Sequence, residues 1–140
     1  MFSNIVVKRS QLVTAKIAGT PATLKKYKFQ DIPNLSKNNI VVYGFEVYGA
    51  DQLSISPEGL TIVPSSTIPG VTITLRDNKK QEFVYQLPAY SAVRANNGGL
   101  AIIIEPRVIN LTDCYIQLTN TSGISADQAI CVNLYYDIIK

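Results

Sequence analysis

Ten carboxylates, two cysteines and no histidine are the groups with which this chain could do acid–base or nucleophilic chemistry. Histidine is the side chain most often used to move protons near neutral pH and the commonest metal ligand. Its absence excludes Ser-His-Asp and Cys-His catalysis within one chain, and His-built zinc sites with them. Paired carboxylates remain as the enzymatic option. Glu46 and Asp51 lie close in sequence, and Glu82 and Glu105 fall on other strands. Each occupies the polar face of its strand or a loop, where alternation alone places a solvated carboxylate. Asp113 and Asp127 are isolated, and no Gly-rich phosphate loop or EF-hand-like acidic run occurs. No catalytic residue, metal site or cofactor is expected.

The cysteines point the same way. Read as strand residues, Cys114 shares a face with Ile116 and Leu118, and Cys131 with Asn133, Tyr135 and Asp137. The first face is expected to be buried and the second exposed, so a bond between the two would join opposite faces. Unpaired thiols without an activating neighbour are expected to be inert.

Contact chemistry is better represented. Eight Tyr stand against no Trp, and Tyr48, Tyr90, Tyr115 and Tyr135 fall at positions expected to face outward. Tyr is enriched in protein interfaces, whereas sugar sites favour the larger stacking face of Trp. Asn96 and Asn97, near Tyr90 in sequence, keep a carbohydrate- or peptide-binding module as the alternative. Residues 1–30 carry six basic side chains, Lys8, Arg9, Lys16, Lys25, Lys26 and Lys28, and no acid. Residues 31–140 carry seven basic and ten acidic ones. A basic leading segment suits an acidic protein surface or non-specific nucleic-acid contact, and its lysines also shield a sheet edge. Lys8, Arg9, Lys25, Lys26 and Lys28 therefore join the four tyrosines as candidate interface residues.

These side chains need a scaffold, and the sequence describes an all-β one. Ile and Val fill 29 positions, and hydrophobic residues make up 46% of the chain against 16% charged. That is enough apolar material for one well-buried domain of 140 residues. Period-two alternation marks the strands. Residues 26–32 alternate Tyr27 and Phe29 with lysines. Residues 40–48 put Val41, Tyr43, Phe45 and Val47 on one face. Val71, Ile73 and Leu75, then Phe83, Tyr85 and Leu87, read as the inward faces of a hairpin. Residues 100–109 are apolar, with Pro106 marking a bulge or a sheet edge. Cys114, Ile116 and Leu118 line one strand, and Ile130, Val132, Leu134, Tyr136 and Ile138 another. Residues 5–7 and 12–17 add further strands. Asn96-Asn97-Gly98-Gly99 is a turn, and the proline-rich link 51–70 is expected to cross between sheets.

About eight or nine strands with irregular loops fit a two-sheet sandwich, an eight-stranded jelly roll first and an immunoglobulin-like sandwich second. Residues 1–20 are read as an N-terminal strand or arm and residues 21–140 as a single β-sandwich domain. The longest apolar run, residues 100–104, is far short of the roughly 20 that span a bilayer, so no membrane span is expected. No apolar core follows Lys8 and Arg9, so no secretion signal is expected.

Tyr27-Lys28-Phe29-Gln30-Asp31-Ile32-Pro33-Asn34-Leu35, followed by the strand at 40–48, resembles the opening strand–turn–strand of phage single jelly-roll capsid proteins. Residues 120–137 are similar to the closing loop and strand of such modules, and the resemblance spans residues 25–140. It implies a non-enzymatic virion subunit of a bacteriophage, made in the host cytoplasm: a capsid, vertex, decoration or spike-base protein. It further implies a homo-oligomer that docks on other capsid proteins, with residues 1–20 reaching a neighbour. The chain is short for a major capsid protein, which favours an auxiliary or vertex role.

Overall fold

The period-two runs become strands that pair over long sequence distances. The computed structural model describes residues 9–30, 32 and 39–139. In them lie β1 (Arg9–Lys16), β2 (Tyr27–Lys28), β3 (Asn39–Tyr48), β4 (Val71–Arg76), β5 (Glu82–Pro88), β6 (Ile102–Ile109), β7 (Tyr115–Leu118) and β8 (Ala129–Ile139). They form two four-stranded sheets, in the orders β1-β8-β3-β6 and β2-β7-β4-β5. Every pairing between named strands is antiparallel. Helix among the described residues is confined to short 3-10 turns. The all-β, two-sheet expectation is met, and the 51–70 link does run from one sheet to the other. The strand expected at 5–7 lies outside the described residues.

The core sits between the sheets. Val13, Ala15, Ile17, Val42, Phe45, Ile73, Leu75, Leu118, Ile130, Val132 and Leu134 are wholly buried there. Each such Ile, Leu or Phe contributes about 1.5–3 kcal/mol. Within the N-terminal segment, β1 pairs with β8 from Arg9↔Tyr136 to Lys16↔Ala129. It is one of the eight strands, and its inward side chains belong to the main core.

Two strands depart from strict alternation. The β3–β8 register steps from Val42↔Tyr136 to Gly44↔Tyr135, so Tyr43 is an extra residue. Such a bulge reverses the faces beyond it. Ile40 and Val42 point inward before it and Phe45 and Val47 after it, whereas Val41 and Tyr43 do not share the core face as alternation predicts. Gly44 belongs at this step, because a Cβ there would lie 3.0 Å from the Ile102 carbonyl oxygen. In the β4–β5 hairpin the register shifts twice. Gln86 takes a φ of 49°, and its N–H donates to Thr74 Oγ1 at 3.1 Å instead of to a backbone carbonyl. Tyr85 is thereby turned out to solvent, while Phe83, Val84 and Leu87, all partly buried, pack on the core. Of the expected inward row, Phe83 and Leu87 do meet the core, and Tyr85 is corrected to an exposed position with Val84 packing in its stead.

The exposed reading of Cys131 is also corrected. Residues 53–62 fold across the outer side of the β1-β8-β3-β6 sheet, where Ile62, Leu53, Leu60 and Tyr48 cover Cys131 and Ala129. Cys114 lies in the main core, and both thiols are free. Burial pushes Cys114 up to about 12 and raises Cys131 as well. Neither supplies thiolate near neutral pH.

β6 is an edge strand, which accommodates Pro106. The β4–β5 turn leans on its far end: Asn78 N–H donates to the Val108 carbonyl at 3.0 Å. The turn is held by Asp77, whose Oδ1 accepts from the N–H groups of Lys79 and Gln81, each at 2.9 Å. The apolar start of β6 has no such cover, and Ile103 is 78% exposed.

Candidate functional site

Alternation beyond the Tyr43 bulge places Gly44, Glu46 and Tyr48 on the outer side of β3, where a solvated carboxylate was expected. Glu46 is instead 1% exposed. Arg94, in a 3-10 turn after β5, reaches over it. Its Nε donates to Glu46 Oε1 at 2.7 Å and its Nη2 to Oε2 at 3.0 Å. Nη2 also donates to the Tyr135 hydroxyl at 2.8 Å, and that hydroxyl donates to Glu46 Oε2. Burial alone would raise the Glu46 pKa. Hydrogen bonds from Arg94, Tyr135 and Tyr48, with the Arg94 charge, outweigh it and hold the carboxyl below its ordinary value. The same hydrogen bond to Glu46, followed by that to Tyr135, raises the Arg94 pKa.

The loop that carries Arg94 is closed on itself. Asn96 Nδ2 donates to the Tyr90 carbonyl at 3.0 Å, and Asn97 Nδ2 to those of Leu100 at 2.9 Å and Ala101 at 3.2 Å. Gly98 and Gly99, at φ values of 65° and 81°, return the chain toward β6. The Nδ2 groups of both asparagines are thus engaged within their own loop.

Beside the ion pair runs a groove of about 190 Å³ lined by Tyr43, Gly44, Arg94, Ala101, Ile103 and Tyr135. It is mostly apolar, with one cation on its rim. Ile103, in its lining, and Leu100, next in sequence to Ala101 of the lining, are both exposed. A second cavity, of about 280 Å³, is polar and lined by Ser66, Thr67, Pro69, Gly70, Thr119, Asn120 and Ser122.

The candidate interface residues separate into two groups. Tyr48 and Tyr135 flank Glu46, and Tyr90 is exposed on the Arg94 loop. Lys25, Lys26 and Lys28 are exposed around β2, on the other sheet. Lys26 Nζ lies 4.8 Å from the Tyr115 ring centroid, with the Arg76 guanidinium at 5.4 Å from the same ring. Tyr115 lies on the outer side of β7, as alternation suggested, but at 3% exposure it is a covered platform rather than an open aromatic surface. Arg9 is exposed at the start of β1, and Lys8 lies outside the described residues.

Arg94 and Ile103 were not among the candidates, and Glu46 was weighed only as a solvated carboxylate. The run at 100–104 carried a signal for Ile103, because five successive apolar residues exceed what one face of an alternating strand can bury. The Glu46–Arg94 pair spans 48 positions and had no local signal. Among the described residues, no three Cys, Asp or Glu side chains are grouped as a metal site, and no helix is long and apolar enough to cross a membrane. Compared with known proteins, the chain matches no family model, no curated protein and no solved structure.

Proposed function

We propose that the chain is a non-enzymatic structural subunit of a phage virion, a jelly-roll module that acts by self-association and by docking on neighbouring subunits. The carrying observation is the nested pairing of strands: β1 with β8 and β3 with β6 in one sheet, β2 with β7 and β4 with β5 in the other. This pairing is what results when one long hairpin, with the β4–β5 turn at its tip, is wrapped into two facing sheets. Jelly rolls serve both capsid and lectin domains, and the surface decides between them here. An exposed apolar patch beside an edge strand favours protein contact, and asparagine amides engaged within their own loop disfavour a sugar site at 96–99. An auxiliary or vertex position suits a subunit of this size.

The patch gives the test. Leu100→Asp with Ile103→Asp changes two exposed side chains, so stability should move by about 0.5 kcal/mol or less per site. Self-association, followed by sedimentation velocity, should weaken about tenfold or more. Unchanged association with a folded variant would remove this patch from the subunit contacts.

A further inference from the structure

Two charged ridges lie on different sheets of the sandwich, and neither takes part in the Glu46–Arg94 cluster. The first is residues 24–28, at the β2 edge. Leu24 N–H donates to the Leu118 carbonyl at 3.0 Å, and Gln117 Nε2 donates to the Leu24 carbonyl at 3.0 Å. Leu24 is held there at a φ of 64° with its side chain 67% exposed. A left-handed leucine turned out to water loses on backbone strain and on hydration alike. Lys25, Lys26 and Lys28 follow it, all exposed.

The second ridge is the loop 51–59, which crosses the outer side of the β1-β8-β3-β6 sheet. It too is tied down. Gly49 N–H donates to Gln52 Oε1 at 2.9 Å, Ser56 N–H to the Leu60 carbonyl at 2.8 Å, and Ile62 N–H to the Ser54 carbonyl at 3.1 Å. Leu53 and Leu60 turn inward against Ile62 and Cys131. Ile55 does not turn inward: it is 56% exposed, on a loop that carries exposed Asp51 and Glu58.

Each ridge therefore presents one apolar side chain among charges of a single sign, and the two signs are opposite. We propose that each ridge is the docking partner of the other on a second copy of this chain, so that residues 24–28 of one subunit seat head to tail on the 51–59 loop of the next. A nucleic acid would account for the lysines but not for a matching acidic ridge around Ile55. Because the two ridges are different surfaces on different sheets, a one-to-one contact between them is heterologous and propagates into a closed ring or an open filament. Complementary charge sets its register and speeds encounter, and burial of Leu24 and Ile55 adds apolar area. This inference rests on the reading of the chain as a self-associating subunit.

Charge reversal tests it with the full chain. Lys25→Glu with Lys28→Glu makes both ridges acidic and leaves Lys26 over Tyr115. Asp51→Lys with Glu58→Lys makes both ridges basic. Each double variant, shown to be folded by its melting curve, should associate about tenfold or more weakly than the parent. An equimolar mixture of the two should associate as tightly as the parent, because acidic and basic copies then alternate; an even ring or a filament regains the parent's mass, and an odd ring is replaced by an open or even-numbered series. Parent-like mass in either variant alone, or no recovery on mixing, would overturn the inference and leave self-association standing. A parent chain that is monomeric throughout would instead remove the reading beneath it. Loss of binding to a single-stranded DNA probe by the Lys variant, with normal assembly of the Asp51/Glu58 variant, would assign the lysines to a polyanion and overturn the inference.

Discussion

Phe45→Ala lowers the free energy of unfolding by about 3–5 kcal/mol, the range for removing a fully buried aromatic side chain. Phe45 is wholly buried in the main core. Two features of β3 put it there: the bulge at Tyr43, which resets the faces, and the close approach of Gly44 to the Ile102 carbonyl. Phe83→Ala is the matched control. Its ring is only partly buried, on the irregular strand β5, with the Arg107 guanidinium 5.6 Å from its centroid. The expected loss is about 1–2 kcal/mol, in proportion to the smaller apolar area withdrawn from water. Urea denaturation of both variants checks the pair. Equal losses would mean that the Phe83 ring is as fully withdrawn from water as that of Phe45, contrary to its partial burial on β5.

Arg94→Ala is the second large effect. It leaves the Glu46 carboxylate buried without its cation, and removing one partner of a fully buried pair costs about 3–5 kcal/mol. The Arg94 side chain is half exposed, so water relieves part of that penalty, and about 2–3 kcal/mol is expected near neutral pH. The pH dependence carries a sign. Folding holds the Glu46 pKa below its ordinary 4.5, so its stabilisation is fully present above about 4.5 and is lost as pH falls through the lower folded value. Without Arg94 the burial that raises the pKa loses its main opponent. The variant's deficit should then shrink on acidification, as the buried carboxyl takes up a proton. Glu46→Gln should flatten the acid limb of the parent's profile. Unfolding free energies at about pH 7 and pH 4 for the parent, Arg94→Ala and Glu46→Gln test this. An Arg94→Ala variant as stable as the parent at neutral pH would show that the ion pair contributes nothing to the fold.

Alternation located most strands because most of them are regular. On β8, Ile130, Val132, Leu134 and Tyr136 all face the core, and on β7 Ile116 and Leu118 do, as a strict period of two requires. It misplaced Val41, Tyr43 and Tyr85 for one reason: a bulge inserts a residue without changing the composition around it. Only Gly44 left a trace of it in the sequence. The covered state of Cys131 depends on Ile62 and Leu53, some 70 positions away in sequence. The burial of Glu46 depends on Arg94 in the same way, since an outer-face carboxylate is solvated until a distant loop crosses it. Tyr115 has outward geometry, as its parity says, but Lys26 and Arg76 lie over it. What periodicity cannot carry is which loop lies over which face, and the candidate surfaces are built from those loops.

The most direct test of a self-associating structural subunit is the solution mass of the recombinant chain, measured by light scattering behind size exclusion over a concentration series. A defined oligomer is expected, a closed ring or a growing head-to-tail series, whose mass falls on dilution or at raised salt as the charged ridges are screened. A monomer of 15.4 kDa at every concentration and ionic strength would contradict it.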